Sequence, residues 1–318
     1  MKKNIIEVVL FSIYTTLSVL GIPCFSQTSI KRFTNVQDSY PNPSPDGSAC
    51  VFQSNRLGSW QIYIIDSSSN NLKQITSSKG ENSSPIFSPQ SDKIVFTSTR
   101  DDEDGDIYMM DADGSNVKRL TFSKGDDSHP HWSPDGKKII FNSARTSPDF
   151  SFDWGKQIHE IFMMDADGSN LKQLSFLKSI STYPNISPDG KYVAFRHFTT
   201  APGLTWDLNE SKRNSEVFRM DIDGSHAVNL TNHIAYEGWP CWSPDGEHIV
   251  FSSNRQGPVS TGQLYIMDKD GKNVKPITNN TNGGYAIPSW RSGNKIYAYQ
   301  YWETVDYEYG NIVLIEYE

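Results

Sequence analysis

The phrase Ser-Pro-Asp-Gly occurs four times in this chain, at 44–47, 133–136, 187–190 and 243–246, and a worn Ser-Pro-Gln-Ser stands at 88–91. The proline three residues before each Ser-Pro aligns the copies: Pro41, Pro85, Pro130, Pro184 and Pro240. A sixth copy, without the phrase, begins at Pro288, so the period runs from 44 to 56 residues. A tandem array of that period confines the chain to a repeat architecture before any single residue is weighed.

Each copy carries the same order of marks. Two positions after the proline come Pro43, Phe87, Trp132, Ile186, Trp242 and Trp290; eleven after it come Phe52, Phe96, Phe141, Phe195 and Phe251. An apolar-aromatic pair follows (Ile62-Tyr63, Ile107-Tyr108, Ile161-Phe162, Val217-Phe218, Leu264-Tyr265), and from the second copy to the fifth an Asp-Gly turn comes next. The first five copies close on Ile or Leu followed by Thr or Ser, as in Leu120-Thr121. The apolar runs are short, rich in Val, Ile, Phe and Tyr, and punctuated by Gly, Pro, Asp and Asn. That pattern predicts antiparallel strands joined by tight turns, with no long 3.6-period segment. Four strands per copy suit a propeller blade, so the expectation is an all-β, six-bladed β-propeller with blades starting near 38, 82, 127, 181, 237 and 285.

The sixth copy runs out before its fourth strand. The segment Ile30-Lys31-Arg32-Phe33-Thr34 resembles Val117-Lys118-Arg119-Leu120-Thr121. It is expected to complete the last blade against 311–317 and so cover an edge that would otherwise be open.

Residues 1–26 are a different kind of sequence. Lys2 and Lys3 precede a mostly apolar stretch, 8–22, and small residues follow, as in a secretory signal cleaved after Ser26. An uncleaved anchor and lipidation on Cys24 are the alternatives; the stretch is short for a membrane span. The remaining 27–318 suffice for one large β domain. With 29 Lys and Arg against 37 Asp and Glu, and no basic stripe, nucleic acid is not an expected partner. Cys50 takes a strand position filled elsewhere by Ile94, Ile139, Val193 and Ile249, and Cys241 lies in a non-neighbouring blade, so no disulfide is expected.

With Ser-Pro-Asp-Gly, the strand Phe, the Ile-Tyr pair and Asp-x-Asp-Gly all in view, the repeats resemble the PD40 (WD40-like) repeats of the TolB propeller, from Tyr40 to the C-terminus. TolB carries an α/β domain before its propeller. Here about ten residues separate the expected leader from the first blade, so the resemblance is to the propeller without that domain. The same propeller also occurs in peptidases and lyases, so the resemblance implies a fold more than an activity.

Several constellations carry candidate chemistry. The segments 111–116, 165–170, 221–226 and 268–273 imitate half a calcium loop but lack its third ligand and its downstream Glu, and read as hairpin turns. Arginine recurs fifteen residues after the proline (Arg56, Arg100, Arg145, Arg255), and the same copies carry an acid three or four residues before it (Asp38, Glu81, Asp127, Glu237). This co-occurrence predicts structural ion pairs. His129 and His131 alternate onto one side of a strand but no third metal ligand accompanies them. No Gly-x-Ser-x-Gly occurs. No catalytic residue, metal or cofactor is assigned.

The copies disagree most between their second and third strands, at 146–157, 199–214 and 301–310. These inserts carry Phe150, Phe152, Trp154, Trp206, Tyr301, Trp302, Tyr307 and Tyr309. Such aromatics on loops over a rigid scaffold are binding candidates, with capping of the channel as the alternative. Phe152, Trp154, Trp206, Tyr301 and Trp302, with His129 and His131, form the expected binding set. The expected function is an exported, TolB-like protein-binding or scaffold module, monomeric, acting through its long-loop face on another envelope or secreted protein. The alternative is an exported propeller that binds or cleaves glycans. Either would be periplasmic or secreted.

Overall fold

The computed structural model describes residues 28–34, 37–66, 71–152, 154–199, 214–256, 262–279, 283–301 and 310–317. The expected leader lies outside the described residues, as do Trp206, Trp302, Tyr307 and Tyr309. Among the described residues no helix is long and apolar enough to cross a membrane.

Six four-stranded antiparallel sheets form the ring. In the first blade, Asp38–Pro43 is innermost, followed outward by Ala49–Ser54, Gln61–Asp66 and the short Leu72–Gln74. The innermost strands of the next five are Asn82–Phe87, Asp127–Trp132, Ser181–Ile186, Glu237–Trp242 and Gly284–Ser292. In the last blade the outermost strand is Ser29–Arg32, paired from Ser29 with Glu316 to Arg32 with Val313. Phe33 continues the seam by packing on Tyr297 at 5.0 Å, and Thr34 Oγ1 accepts the Ile312 amide at 3.1 Å.

The core consists of seams between blades. Val51 and Ile62 of the first blade pack with Phe87, Ile94, Phe96 and Tyr108 of the second, and Cys50, Phe52 and Tyr63 meet Tyr297 and Ile312 of the sixth. The five repeat phenylalanines, Phe52 to Phe251, are fully buried. Each such ring contributes about 1.5–3 kcal/mol of burial, which is why that position repeats most faithfully. Cys50 and Cys241 are free thiols.

The repeated phrase proves to be a latch. In Ser-Pro-Asp-Gly the serine hydroxyl donates to the Asp Oδ1 (2.5 Å for Ser44–Asp46, 2.6 Å for Ser133–Asp135) and accepts the amide five residues on (Ala49 at 3.0 Å, Lys138 at 2.8 Å). In the worn copy Ser88 donates to Asp92 instead, at 2.8 Å. At the hairpin between the third and fourth strands, on the same end of the blade, lysine ties neighbours together in the first three blades: Lys73, Lys118 and Lys172 donate to the Asp113, Asp167 and Asp223 carbonyls of the following blade. The glycine of that hairpin is required. At Gly224 φ is +94°, and a β-carbon would lie 2.2 Å from the Leu174 carbonyl oxygen.

Candidate functional site

The ring axis is built by an unusual backbone. The residue before each aligned proline (Tyr40, Ser84, His129, Tyr183, Trp239 and Ile287) has φ between +50° and +56°. All six innermost strands shift register there, a bulge at the same place in every blade. The left-handed region costs a non-glycine residue about 1–2 kcal/mol, so the ring spends that strain to turn six side chains toward the axis. Strict alternation would have sent His129 and His131 to one side together; the bulge at His129 separates their roles. His129 Nδ1 lies 2.9 Å from Asn142 Oδ1 and its Nε2 3.3 Å from the Tyr40 hydroxyl, while His131 Nδ1 donates to the Trp132 carbonyl at 2.9 Å. Burial pushes His129 down to about 3 and His131 down to about 4, so both are neutral at physiological pH.

These side chains plug the channel. The Tyr40 and Tyr183 hydroxyls lie 3.0 Å apart, the His129 ring packs on Tyr183 at 3.9 Å, and Tyr183 meets Trp239 at 5.8 Å. Below the plug, toward the Ser-Pro-Asp-Gly turns, opens a funnel of about 440 Å³. Pro45, Pro89, Pro134, Pro188 and Pro244 ring its mouth, and Asn42, His131, Asn185, Cys241 and Ser289 punctuate its wall. Among the described residues no Lys, Arg, Asp or Glu lines it. Its polar groups are partly committed: Asn42 Oδ1 accepts the Phe87 amide at 2.9 Å, and Asn185 Oδ1 the Trp242 amide at 3.1 Å, so both tie adjacent blades. The site can hold an uncharged, apolar or aromatic group.

Behind the plug sits Arg196, almost fully buried. Its Nε donates to Thr182 Oγ1 at 2.9 Å and Nη1 donates to the Tyr236 hydroxyl, while its guanidinium stacks over Tyr183 at 4.6 Å and Phe198 at 4.9 Å. Among the described residues no carboxylate pairs with it; aromatic faces offset the charge.

The recurring arginines are clamps. Arg56 donates to Asp38 (2.8 Å), Arg145 to Asp127 (2.8 Å), and Arg255 lies 2.9 Å from Glu237; all three acids are fully buried. Each guanidinium also reaches the serine two residues before it and lies over two rings, as Arg145 over Phe141 at 5.5 Å and Phe162 at 4.8 Å. The second blade differs from the sequence expectation. Arg100 donates to Asn82 Oδ1 at 2.7 Å, because Asn82 and not Glu81 stands three residues before the proline; Glu81 accepts the Trp60 amide instead. Burial lifts Glu237 to about 8, with Arg255 and Ser253 pulling against it.

The connections between second and third strands share one face with the connections between blades. Among the described residues the four most exposed large apolar side chains all stand there: Leu57 (73%), Phe122 (72%), Phe176 (69%) and Ile234 (63%). Phe150, Phe152 and Trp154 add to them at 38–43% exposure. The third blade gathers most of this surface. Phe150 packs over Gly125, near Phe122, and Trp154 lies against His159 at 4.7 Å, whose amide donates to Ser179, near Phe176. Tyr301 does not belong with them. It ends the strand Lys295–Tyr301, is buried, and accepts the Gly262 amide through its hydroxyl at 2.9 Å. Sequence reasoning missed Phe122 and Phe176. They follow the Leu-Thr and Leu-Ser that close their repeats, where the other copies carry Ser77, Asn232 and Asn279; that departure was the available signal.

Residues 19–157 match the family model described as the TolB beta propeller domain, PD40. The Tol-Pal system protein TolB of Francisella tularensis subsp. mediasiatica is 29% identical over 85% of this chain and 58% of its own length. The crystal structure of TolB from Acinetobacter baumannii superposes with a TM-score of 0.64 at 28% identity, covering 80% of this chain and 57% of that one. A putative TolB structure from Agrobacterium tumefaciens gives a TM-score of 0.65 at 20% identity, covering 92% and 99%. The chain spans less than two thirds of the length of the curated relatives it matches.

Proposed function

The chain is a TolB-type β-propeller built of PD40 repeats, and on that premise we propose that it is an exported, non-catalytic module that binds another envelope protein through its long-loop face. The observation that carries this reading is the apolar group over the third blade: Phe122, Phe150, Phe152, Trp154 and Phe176, all exposed on one face. Water-exposed aromatics in such number mark an interaction surface. Aromatic anchors of this kind supply most of the energy of a protein interface. One relative's name places it in a Tol-Pal system, which supports an envelope protein as the partner class.

The test is capture from an envelope extract with immobilised wild type and with the Phe122→Ser/Phe152→Ser/Phe176→Ser variant. These side chains are exposed, so stability should change little. The wild type should retain at least one protein that the variant loses. Equal capture by both would refute the loop-face reading. Capture by both that is abolished by Trp239→Ala would move the interface to the funnel.

A further inference from the structure

The fourth blade lacks the clamp. Ser181 stands where Asp38, Asp127 and Glu237 stand; His197 replaces Ser54, Ser98, Ser143 and Ser253; Thr199 replaces Arg56, Arg100, Arg145 and Arg255. Loss of a guanidinium there leaves space. A cavity of about 420 Å³ opens between the third and fourth blades on the loop face. Its lining includes Ile158, Leu177, Lys178, His197, Phe198 and Thr199, with Lys156 at its edge.

Among the described residues, three polar groups at this cavity have no hydrogen-bond or ion-pair partner. His197 is more than nine-tenths buried; its Nδ1 meets Ser181 Oγ at 2.9 Å, which leaves Nε2 unengaged. Thr199 Oγ1 is buried and unbonded. An unsatisfied buried hydroxyl is destabilising, and a ligand oxygen would restore its hydrogen bond. The Lys178 backbone amide donates to Glu160, and its ammonium is unpaired among the described residues. Glu160, the nearest buried acid, is itself occupied by Ser175 and that amide. Ile158, Leu177 and Phe198 supply an apolar wall.

We infer that this cavity is a binding site for a small organic carboxylate, whose oxygens engage Lys178 Nζ, His197 Nε2 and Thr199 Oγ1 while its body lies against Ile158, Leu177 and Phe198. The volume is within the range of small-molecule sites. His197 serves as a neutral hydrogen-bond donor, since burial pushes its pKa down to about 4. Lys178 supplies the charge. The buried Arg196, with Phe198 against it, adds positive potential from behind.

The test uses the whole protein, with benzoate and inorganic phosphate as probes in isothermal titration. Benzoate should bind saturably and more tightly than phosphate. Lys178→Met, an exposed change safe for the fold, should weaken benzoate about tenfold, the loss of one charge-assisted contact. Ser181→Asp/His197→Ser/Thr199→Arg, which restores the clamp, should abolish binding with the melting temperature unchanged or raised. Non-saturable benzoate, tighter phosphate, unchanged affinity in Lys178→Met, or binding that survives clamp restoration would each overturn the assignment.

Discussion

Two arginines at the same repeat position should differ in what their loss costs. Arg145 pairs with a fully buried carboxylate, Asp127; Arg100 pairs with the neutral Asn82. Both make the same serine contact (2.8 Å to Ser143, 2.9 Å to Ser98) and both lie over two rings. Methionine keeps most of the stacking hydrocarbon and removes the charge. In Arg145→Met it strands Asp127, whose carboxylate keeps, among the described residues, the Ser123 hydroxyl at 3.2 Å. Removing one partner of a buried pair costs about 3–5 kcal/mol. In Arg100→Met it strands a neutral amide oxygen, at about 1–3 kcal/mol. The difference is about 2 kcal/mol. At about 2–4 °C per kcal/mol for a domain of this order, Arg145→Met should melt several degrees below Arg100→Met. The second arm is Asp127→Asn in the Arg145→Met background, which should recover part of the loss by neutralising the orphan. Urea titration followed by tryptophan fluorescence gives the free energies. Equal losses for the two single variants, or a double variant no better than Arg145→Met, would show that the clamps act through stacking alone.

Glu237 carries a pH signature. Its folded pKa is raised to about 8, above its ordinary 4.5, so the folded state holds a proton that the unfolded state has released between those values. Stability from this group is therefore full below about pH 4.5 and is lost as pH rises toward 8; Glu237→Gln should flatten that slope in melting curves taken across the interval. Phe33→Ala should cost about 2 kcal/mol by loosening the closing strand from Tyr297, and hydrogen exchange should show faster amides at Val313 and Ile315; protection equal to wild type would contradict the role of that seam. Gly224→Ala should lose more than 2 kcal/mol because of the 2.2 Å approach to Leu174, whereas Gly190→Ala, with positive φ but open space around it, should lose about 1 kcal/mol; similar values would mean that φ alone sets the cost.

The ring was legible because its punctuation is covalent. The aligned prolines, the buried phenylalanines and the Ser-Pro-Asp-Gly latches repeat at fixed offsets, and each offset maps to one strand or turn. The channel was less legible. Period-two reasoning assumes an unbroken pleat, and a one-residue bulge before each proline redirects Tyr40, His129, Tyr183 and Trp239 toward the axis. The Glu81 assignment failed for a related reason: co-occurrence within three or four residues is too coarse where one position inverts the side chain's direction. Tyr301 was misplaced because the last blade extends its second strand to that residue. The exposed Phe122 and Phe176 were overshadowed by the more regular Leu and Thr or Ser before them. The cavity in the fourth blade was foreshadowed by the missing Arg and acid there, but its depth depends on how His197 and Phe198 pack.

The closing strand imposes an order on assembly. The Thr34–Ile312 contact joins positions 278 residues apart, nearly the whole described chain. Bringing such distant points together costs about 5 kcal/mol of chain entropy in the simple logarithmic estimate. Blades one to five can form from local hairpins as each is made, while the first strand waits unpaired for the last. Until then the circle is an open arc with two raw edges, and the slow step of folding should be the one that turns the arc into a ring.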